Sequence, residues 1–191
     1  MLKKYIILSL FLSLFIAPSG YAHFHYKINT TAHLQVNKKG QLAAIAMSWV
    51  YNEEVSGILL RSGRPLNILA DDVMSDLLKL DYYTHLAFNG KKVLTNNVQT
   101  YKFEKITKNK QTLLKLSFIL PLKSPLYLQG NNTLAIIHTD PGASASLFYR
   151  NTNHLILGPS FSSFCTPEVK AIKDFENGEA PEIVKINCTA K

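Results

Sequence analysis

Apolar and polar residues alternate from residue 25 onward. Over residues 25–36 the even positions are mostly apolar and the odd positions polar, which predicts a strand with one buried face. A turn at 37–40 separates this segment from a second apolar run over 41–51. The two segments therefore predict a β-hairpin near the start of the domain.

Helical spacing follows directly after this hairpin. Asn52 has the character of an N-cap, and the apolar residues after it recur at helical intervals until Gly63, which predicts a first helix. A second helix is predicted over 70–82, with Asp71 and Asp72 in its first turn, where the helix dipole favours negative charge.

Period-two alternation returns after residue 83. Residues 85–88 lead into a turn at 89–90, and 98–106 with 112–120 predict a hairpin. Three further short strands are predicted, over 133–139, 145–150 and 154–158. This order of elements predicts an α+β fold, a mostly antiparallel and sandwich-like β domain with a two-helix insertion at about 53–82.

Residues 1–22 predict a secretory signal peptide. Lys3 and Lys4 precede an uncharged apolar run, and small residues occupy the positions before a cleavage site after Ala22. The apolar run is too short for a spanning helix, which needs about 20 residues. We therefore expect a single periplasmic domain over 23–191 that does not span the membrane after cleavage.

The positive charge of the chain does not indicate a nucleic-acid partner. Loss of the signal peptide reduces the formal charge from +8 to +6, and the remaining excess is almost entirely lysine, much of it between 102 and 115. Only Arg61, Arg64 and Arg150 offer the bidentate guanidinium chemistry favoured for reading phosphates and bases. A solvated strand-and-turn surface is the simpler interpretation.

Cys165 and Cys188 are the only cysteines in the chain. In an exported protein a lone pair of cysteines usually forms a disulfide, and no C-x-x-C redox motif occurs. We expect this bond to tie the C-terminal tail to the body of the domain.

The predicted mature chain begins with a His-x-His motif, formed by His23 and His25. On an extended segment both imidazoles lie on one side, about 7 Å apart at Cα, so both can reach one ion. Together with the free α-amine they can join other ligands around Zn(II). Alternatively, the amine, two amides and the third-residue imidazole can form a square-planar site for Cu(II) or Ni(II). The sequence alone leaves both modes open.

Further ligands are candidates only through the fold. Asp140 ends a predicted strand before Pro141, where its side chain is either a metal ligand or the acceptor of an Asx turn. His33 lies roughly 26 Å along the strand from His25 and is interpreted as a surface residue. The other side chains whose part in such a site stays open are His85, His138, His154, Glu53 and Glu54.

Catalytic motifs are absent from the sequence. It contains no G-x-S-x-G, no H-E-x-x-H, no phosphate-cradling glycine loop and no Cys/His nucleophile pattern. We therefore expect a binding protein and not an enzyme.

The order of several short motifs resembles a family of exported bacterial proteins of formally unknown function. These motifs are His23-Phe24-His25, the Trp-containing stretch 47–51, the segment 80–84, the turn at 89–91, the segment 118–122 and Asp140-Pro141. Members are similar to ZevA-type periplasmic proteins, which accompany NicO-type membrane transporters for zinc or for nickel and cobalt. The resemblance implies a periplasmic partner in divalent-metal uptake.

Taken together, these features predict a metal-binding accessory protein that delivers Zn(II) to an inner-membrane transporter, with His23, His25 and Asp140 as ligands. Ni(II), Co(II) or Cu(II) are alternative cargoes. Two other classes of function stay open: a structural or interaction module of a transporter complex that binds no metal, and a copper-dependent oxidative enzyme that uses an N-terminal histidine.

Overall fold

Two β-sheets and a helical insertion form the domain. The computed structural model describes residues 26–142, 144–171 and 182–190. One apolar core runs between the sheets and beneath the helices, and both sheets contribute fully buried residues to it, such as Trp49 and Leu120 from one and Leu134 and Val184 from the other. The predicted α+β, sandwich-like and mostly antiparallel fold is confirmed.

The first sheet has the order β5-β6-β2-β1-β8, with β9 also paired to β1. The predicted N-terminal hairpin is its centre, because β1 pairs with β2 and β2 with β6, both antiparallel. The short strands β8 and β9 both lie parallel to β1. The bounds are β1 Tyr26–Val36, β2 Leu42–Tyr51, β5 Tyr101–Lys108, β6 Gln111–Leu126, β8 Ala145–Phe148 and β9 Leu155–Ile156.

The second sheet has the order β10-β11-β7-β3-β4 and is antiparallel throughout. A tight turn joins β3 to β4, and Asn89 and Gly90 both adopt the positive φ that the predicted turn requires. The bounds are β3 Thr84–Phe88, β4 Lys91–Val93, β7 Asn132–His138, β10 Cys165–Ala171 and β11 Glu182–Cys188. The strands β10 and β11 were not predicted from the sequence.

The helical insertion connects the two sheets and comprises α1 Glu53–Arg61 and α2 Leu66–Lys79. The predicted N-cap is confirmed, because the Asn52 side chain accepts a hydrogen bond from the Val55 amide at 3.1 Å. The N–H groups of the first turn are thereby partly satisfied.

The predicted bounds of the second helix, 70–82, are wrong at both ends. Pro65 precedes its first turn, where the fixed φ of proline and its missing N–H are tolerated, so the helix begins at Leu66. Asp71 and Asp72 consequently lie in its middle. The helix stops at Lys79, because Asp81, Tyr82 and Tyr83 all adopt positive φ. This left-handed turn directs the two tyrosines into the core, where both are buried.

The described helices cannot carry the chain through a bilayer, since none of them combines sufficient length with sufficient apolar character.

The predicted disulfide is confirmed between Cys165 and Cys188. The two cysteines are directly opposite each other at one end of the β10–β11 ladder. The bond therefore closes the C-terminal hairpin, and β11 in turn pairs with β7, which fixes the tail to the second sheet.

We expect removal of this disulfide to destabilise the domain. For its sequence separation of 23 residues, the loss of chain-entropy restraint corresponds to about 3 kcal/mol. The double variant Cys165→Ser/Cys188→Ser should show this loss in urea unfolding at neutral pH. An unchanged midpoint and slope would contradict the assignment of a stabilising role to the bond.

Candidate functional site

The predicted metal ligands His23 and His25 lie outside the described residues. The described chain begins at Tyr26, the first residue of β1, which pairs in register with Ala145 of β8. On the other side of β1, Ile28 is opposite Tyr51, near the end of β2. The residue that follows the histidine motif in the sequence is therefore part of the first sheet.

Asp140 organises the loop beside the start of β1. Its Oδ1 accepts a hydrogen bond from the Gly142 amide, and its Oδ2 accepts bonds from the amides of Ser144 and Ala145, each at 2.8 Å. A carboxylate offers about four lone-pair positions, and three are used here. The Asx-turn interpretation therefore describes the main contacts of Asp140, and the carboxylate retains capacity for about one further bond.

The described histidines do not gather around Asp140. His33 is exposed on the outer face of the first sheet, as predicted, and His85 is opposite Ile137 on the second sheet. The Nδ1 atom of His154 is 3.3 Å from the carbonyl oxygen of Thr30, in the middle of β1. Within 26–142, 144–171 and 182–190, no group of three or more His, Cys, Asp or Glu side chains has the geometry to hold a metal ion.

Glu53 and Glu54 are also separate from Asp140. Both lie in the first turn of α1, where their charge complements the helix dipole. Glu53 additionally accepts a hydrogen bond from the side chain of Gln111, at the turn between β5 and β6. In this structure both glutamates stabilise the start of α1.

His138 forms a buried polar network that sequence reasoning did not find. Its Nε2 is 2.8 Å from the Tyr149 hydroxyl, and its Nδ1 is 3.2 Å from Thr84 Oγ1 and 3.3 Å from the Tyr83 carbonyl oxygen. Thr84 Oγ1 donates its own proton to the Tyr82 carbonyl oxygen. Nδ1 must therefore carry the ring proton, and Nε2 accepts from Tyr149.

Burial keeps this network neutral. Because His138 is fully buried, with the charge of His85 acting in the same direction, its pKa falls to about 4 despite the opposing hydrogen bond to Tyr83. Burial, reinforced by the charge of Glu182, raises the pKa of Tyr149 far above its ordinary value. The Tyr149 amide donates to the Glu182 carboxylate, yet partial burial still raises the pKa of that carboxyl. The network is thus suited to holding protons in fixed places and not to exchanging them at neutral pH.

A signal for this network is present in the sequence. His138 occupies the same parity as Leu134 and Ile136 along β7, and that parity faces the core. A histidine in the buried register of a strand requires polar partners inside the protein. Its partner Tyr149 lies eleven residues further on, directly after β8 of the other sheet, and no local pattern connects the two.

A cavity of about 530 Å³ lies between the helices and the first sheet, near the start of β1. Apolar and aromatic side chains form most of its wall, among them Ile28, Trp49, Leu77 and Tyr83. The Trp49 indole N–H is buried and has no hydrogen-bond partner among the described residues. The walls offer little chemistry for a metal ion, so the cavity does not extend the predicted ligand set.

We expect the domain to lose stability in mild acid through His138. The unfolded histidine binds a proton near pH 6.5 but the folded one only near pH 4, so stability present above pH 6.5 is lost as pH falls towards 4. The full effect is roughly 3 kcal/mol. Urea unfolding of metal-free protein at pH 7.5 and pH 4.5 measures it.

An apolar replacement of the pair tests this assignment. The double variant His138→Leu/Tyr149→Phe leaves no unpartnered polar atom of the pair, and its stability should depend less on pH than that of the unaltered protein by about 2 kcal/mol over this range. His33→Gln removes an exposed histidine and should retain the original dependence. If the double variant also retained it, His138 would not be the responsible group.

We expect Asp140→Asn to destabilise the domain, because an amide nitrogen would face backbone N–H groups that now donate to a carboxylate. The expected loss is about 1–3 kcal/mol in urea unfolding. Asp76→Asn is the matched control, since Asp76 forms only an exposed pair with Lys79 and should cost less than about 0.5 kcal/mol. Equal losses in both variants would argue against a special role for Asp140.

Comparison with known proteins places the chain at the family level. No curated protein matches it. The profile of a family described as a protein of unknown function (DUF1007) matches residues 8–176, which is most of the sequence. This agrees with the predicted resemblance to a family of formally unknown function, while the ZevA-like identity and the association with a transporter stay predictions. The chain belongs to the DUF1007 family.

Proposed function

We propose that the exported chain is a periplasmic divalent-metal-binding accessory protein, which takes up Zn(II) and hands it to an inner-membrane NicO-type transporter. His23 and His25 are its principal metal ligands in this proposal, and Asp140 is a further ligand. Cleavage after Ala22 would add the α-amine of residue 23 to the ligand set.

One observation carries the proposal furthest. Tyr26 pairs with Ala145, and the Ala145 amide donates to Asp140 at 2.8 Å. His25 immediately precedes Tyr26 in the sequence, and consecutive Cα atoms are about 3.8 Å apart. The histidine motif is therefore covalently attached to the strand end that lies beside the Asp140 loop, which supports a shared site at this end of the sandwich.

The chemistry of the motif supports a metal cargo. Two imidazoles and an amine provide borderline nitrogen donors, which suit Zn(II), Ni(II), Co(II) and Cu(II) better than Mg²⁺ or Ca²⁺. Phe24 retains an amide proton, so the square-planar mode is chemically available for Cu(II) or Ni(II). Cu(II) is expected to bind a nitrogen site more tightly than Zn(II) in either mode, so the coordination geometry of the bound metal, and not its affinity, distinguishes the two modes.

We expect His23→Ala/His25→Ala to weaken zinc binding on the order of 100-fold, since it removes both imidazole ligands. Titration calorimetry of the exported protein, with its N-terminus first determined by mass spectrometry, measures this. His33→Ala is the matched control, because this exposed histidine lies in β1, eight residues after His25 in the sequence. Binding should also weaken below pH 6.5, as the ligand histidines become protonated.

Two results would defeat the proposal. One is an unchanged zinc affinity in the double variant, and the other is an exported protein whose first residue is not His23. The transport step has its own test: cells that depend on this chain for growth in low zinc should be rescued by His33→Ala but not by the double variant.

A further inference from the structure

Three segments far from Tyr26 form a lysine-rich surface of the domain. They are the turn at 37–41, the segment 89–92 with its turn and the start of β4, and the segment 123–131 with the end of β6, and we call this part of the sandwich the lysine end. Five lysines lie in these segments, and all of them are exposed: Lys38, Lys39, Lys91, Lys92 and Lys123.

The topology brings these segments together although they are distant in sequence. Val36 pairs with Leu42, and Leu42 pairs with Leu126, so the first turn adjoins the end of β6. The Lys123 amide donates to the Leu94 carbonyl oxygen at 2.9 Å, which joins the end of β6 to the segment that follows β4. The lysine end therefore includes parts of both sheets.

No acidic side chain balances these lysines within their own segments. The stretches 36–42, 88–100, 121–133 and 157–167 contain neither Asp nor Glu. The last of them adjoins the end of β1, because residues 157–160 line one hollow together with residues 33–36. Among the residues that the structure describes, none of the five lysines forms an ion pair with a carboxylate, in contrast to Lys102 and Lys115, which both pair with Glu104.

Exposed apolar side chains accompany the charge. Leu94 is 53% exposed and Tyr127 is 56% exposed, and Val36 at the end of β1 is 41% exposed. A hollow of about 290 Å³ lies between the apolar residues Phe88 and Leu126, and Lys91, Lys92 and Lys123 contribute to its wall. Apolar groups surrounded by lysines match the boundary between lipid headgroups and acyl chains, where lysine stems lie along apolar surface and their ammonium groups meet phosphate.

We propose that the lysine end docks on an anionic phospholipid bilayer. Lysines attract the negative surface, and Leu94, Val36 and the ring of Tyr127 enter the interfacial region. A nucleic-acid partner is disfavoured, because Arg61, Arg64 and Arg150 all lie outside these segments. An acidic protein would also match the charge, and it is the alternative outcome of the test below. The proposal does not depend on metal binding.

Binding of the full exported protein to vesicles tests this proposal. Vesicles of phosphatidylcholine with about one third phosphatidylglycerol are compared with vesicles of phosphatidylcholine alone, in a co-flotation assay. We expect binding only to the anionic vesicles, and weaker binding as added NaCl shortens the Debye length. Each lysine near such a surface contributes about fivefold, so Lys91→Gln/Lys92→Gln/Lys123→Gln should lose roughly 100-fold in partitioning.

A matched control is available at the other end of the molecule. Lys105→Gln/Lys108→Gln/Lys110→Gln removes the same charge from exposed positions of the β5–β6 hairpin, and it should change partitioning by less than about threefold. Leu94→Asn should weaken binding several-fold, whereas Ile58→Asn, which removes a 46% exposed side chain from α1, should not. All eight substituted side chains are exposed, so the circular dichroism spectra of the variants should match that of the unaltered protein.

Three outcomes would overturn the proposal. Equal loss in the two lysine triple variants would mean that net charge, and not this surface, determines binding. Undiminished partitioning of the Lys91/Lys92/Lys123 variant would exclude the lysine end. If the Lys91/Lys92/Lys123 variant lost the binding to polyglutamate that the unaltered protein showed, but retained binding to the anionic vesicles, the surface would be assigned to an acidic protein partner instead.

Discussion

The passage of the chain from β7 in one sheet to β8 in the other places the Asp140 loop and β8 beside the start of β1, and two sets of polar contacts hold this crossover. At the beginning of the crossover, His138 accepts a hydrogen bond from the Tyr149 hydroxyl, which joins the last residue of β7 to the residue after β8. Within the crossover, the Asp140 carboxylate accepts hydrogen bonds from three backbone amides. Because both ends of the loop are bonded inside the protein, β8 is delivered in parallel register beside the first residues of β1. Any site at the amino-terminal end of the domain depends on this placement.

Burial of the polar groups of His138, Thr84 and Tyr149 is costly unless each has a hydrogen-bond partner, and the tautomer of His138 with its proton on Nδ1 provides these partners. The Thr84 hydroxyl donates to a backbone carbonyl oxygen, so its oxygen is free to accept a hydrogen bond from His138 Nδ1. His138 Nε2 then accepts a hydrogen bond from the Tyr149 hydroxyl. A charged imidazole is disfavoured here, because the His138 ring is buried in the core beside Trp49, with ring centroids 6.3 Å apart, and burial penalises the charged form. The same arrangement that makes the crossover specific therefore makes it sensitive to acid.

Local chemistry was enough to predict much of the fold but little of its assembly. The alternation in β1, the N-cap Asn52 and the disulfide between Cys165 and Cys188 each follow from a rule that operates within a few residues or from a cysteine pair. The start of α2 was misplaced, because Asp71 and Asp72 resemble first-turn residues while Pro65 sets the actual boundary. The strands β10 and β11 were missed. They pair with each other, and β11 joins the sheet through β7, which is distant in sequence, so no local pattern shows this placement. The contact of His138 with Tyr149 joins β7 of one sheet to the residue after β8 of the other, and the five lysines come from three separate segments, so neither cluster has a linear signature.

The two ends of the sandwich therefore differ in chemistry for a topological reason. β1 spans Tyr26–Val36, and an extended strand of this length separates its ends by roughly 33 Å. The amino-terminal end carries the Asp140 loop and, separately, Glu53 and Glu54 at the start of α1, whereas the segments of the lysine end contain no carboxylate. A domain resting on a bilayer through its lysines would hold the start of β1 away from the membrane surface, where the anionic potential that concentrates cations has decayed over several Debye lengths. Metal binding at the start of β1 would then depend on the nitrogen ligands themselves and not on the surface potential of the bilayer. The metal-binding proposal and the bilayer-docking proposal can therefore succeed or fail separately.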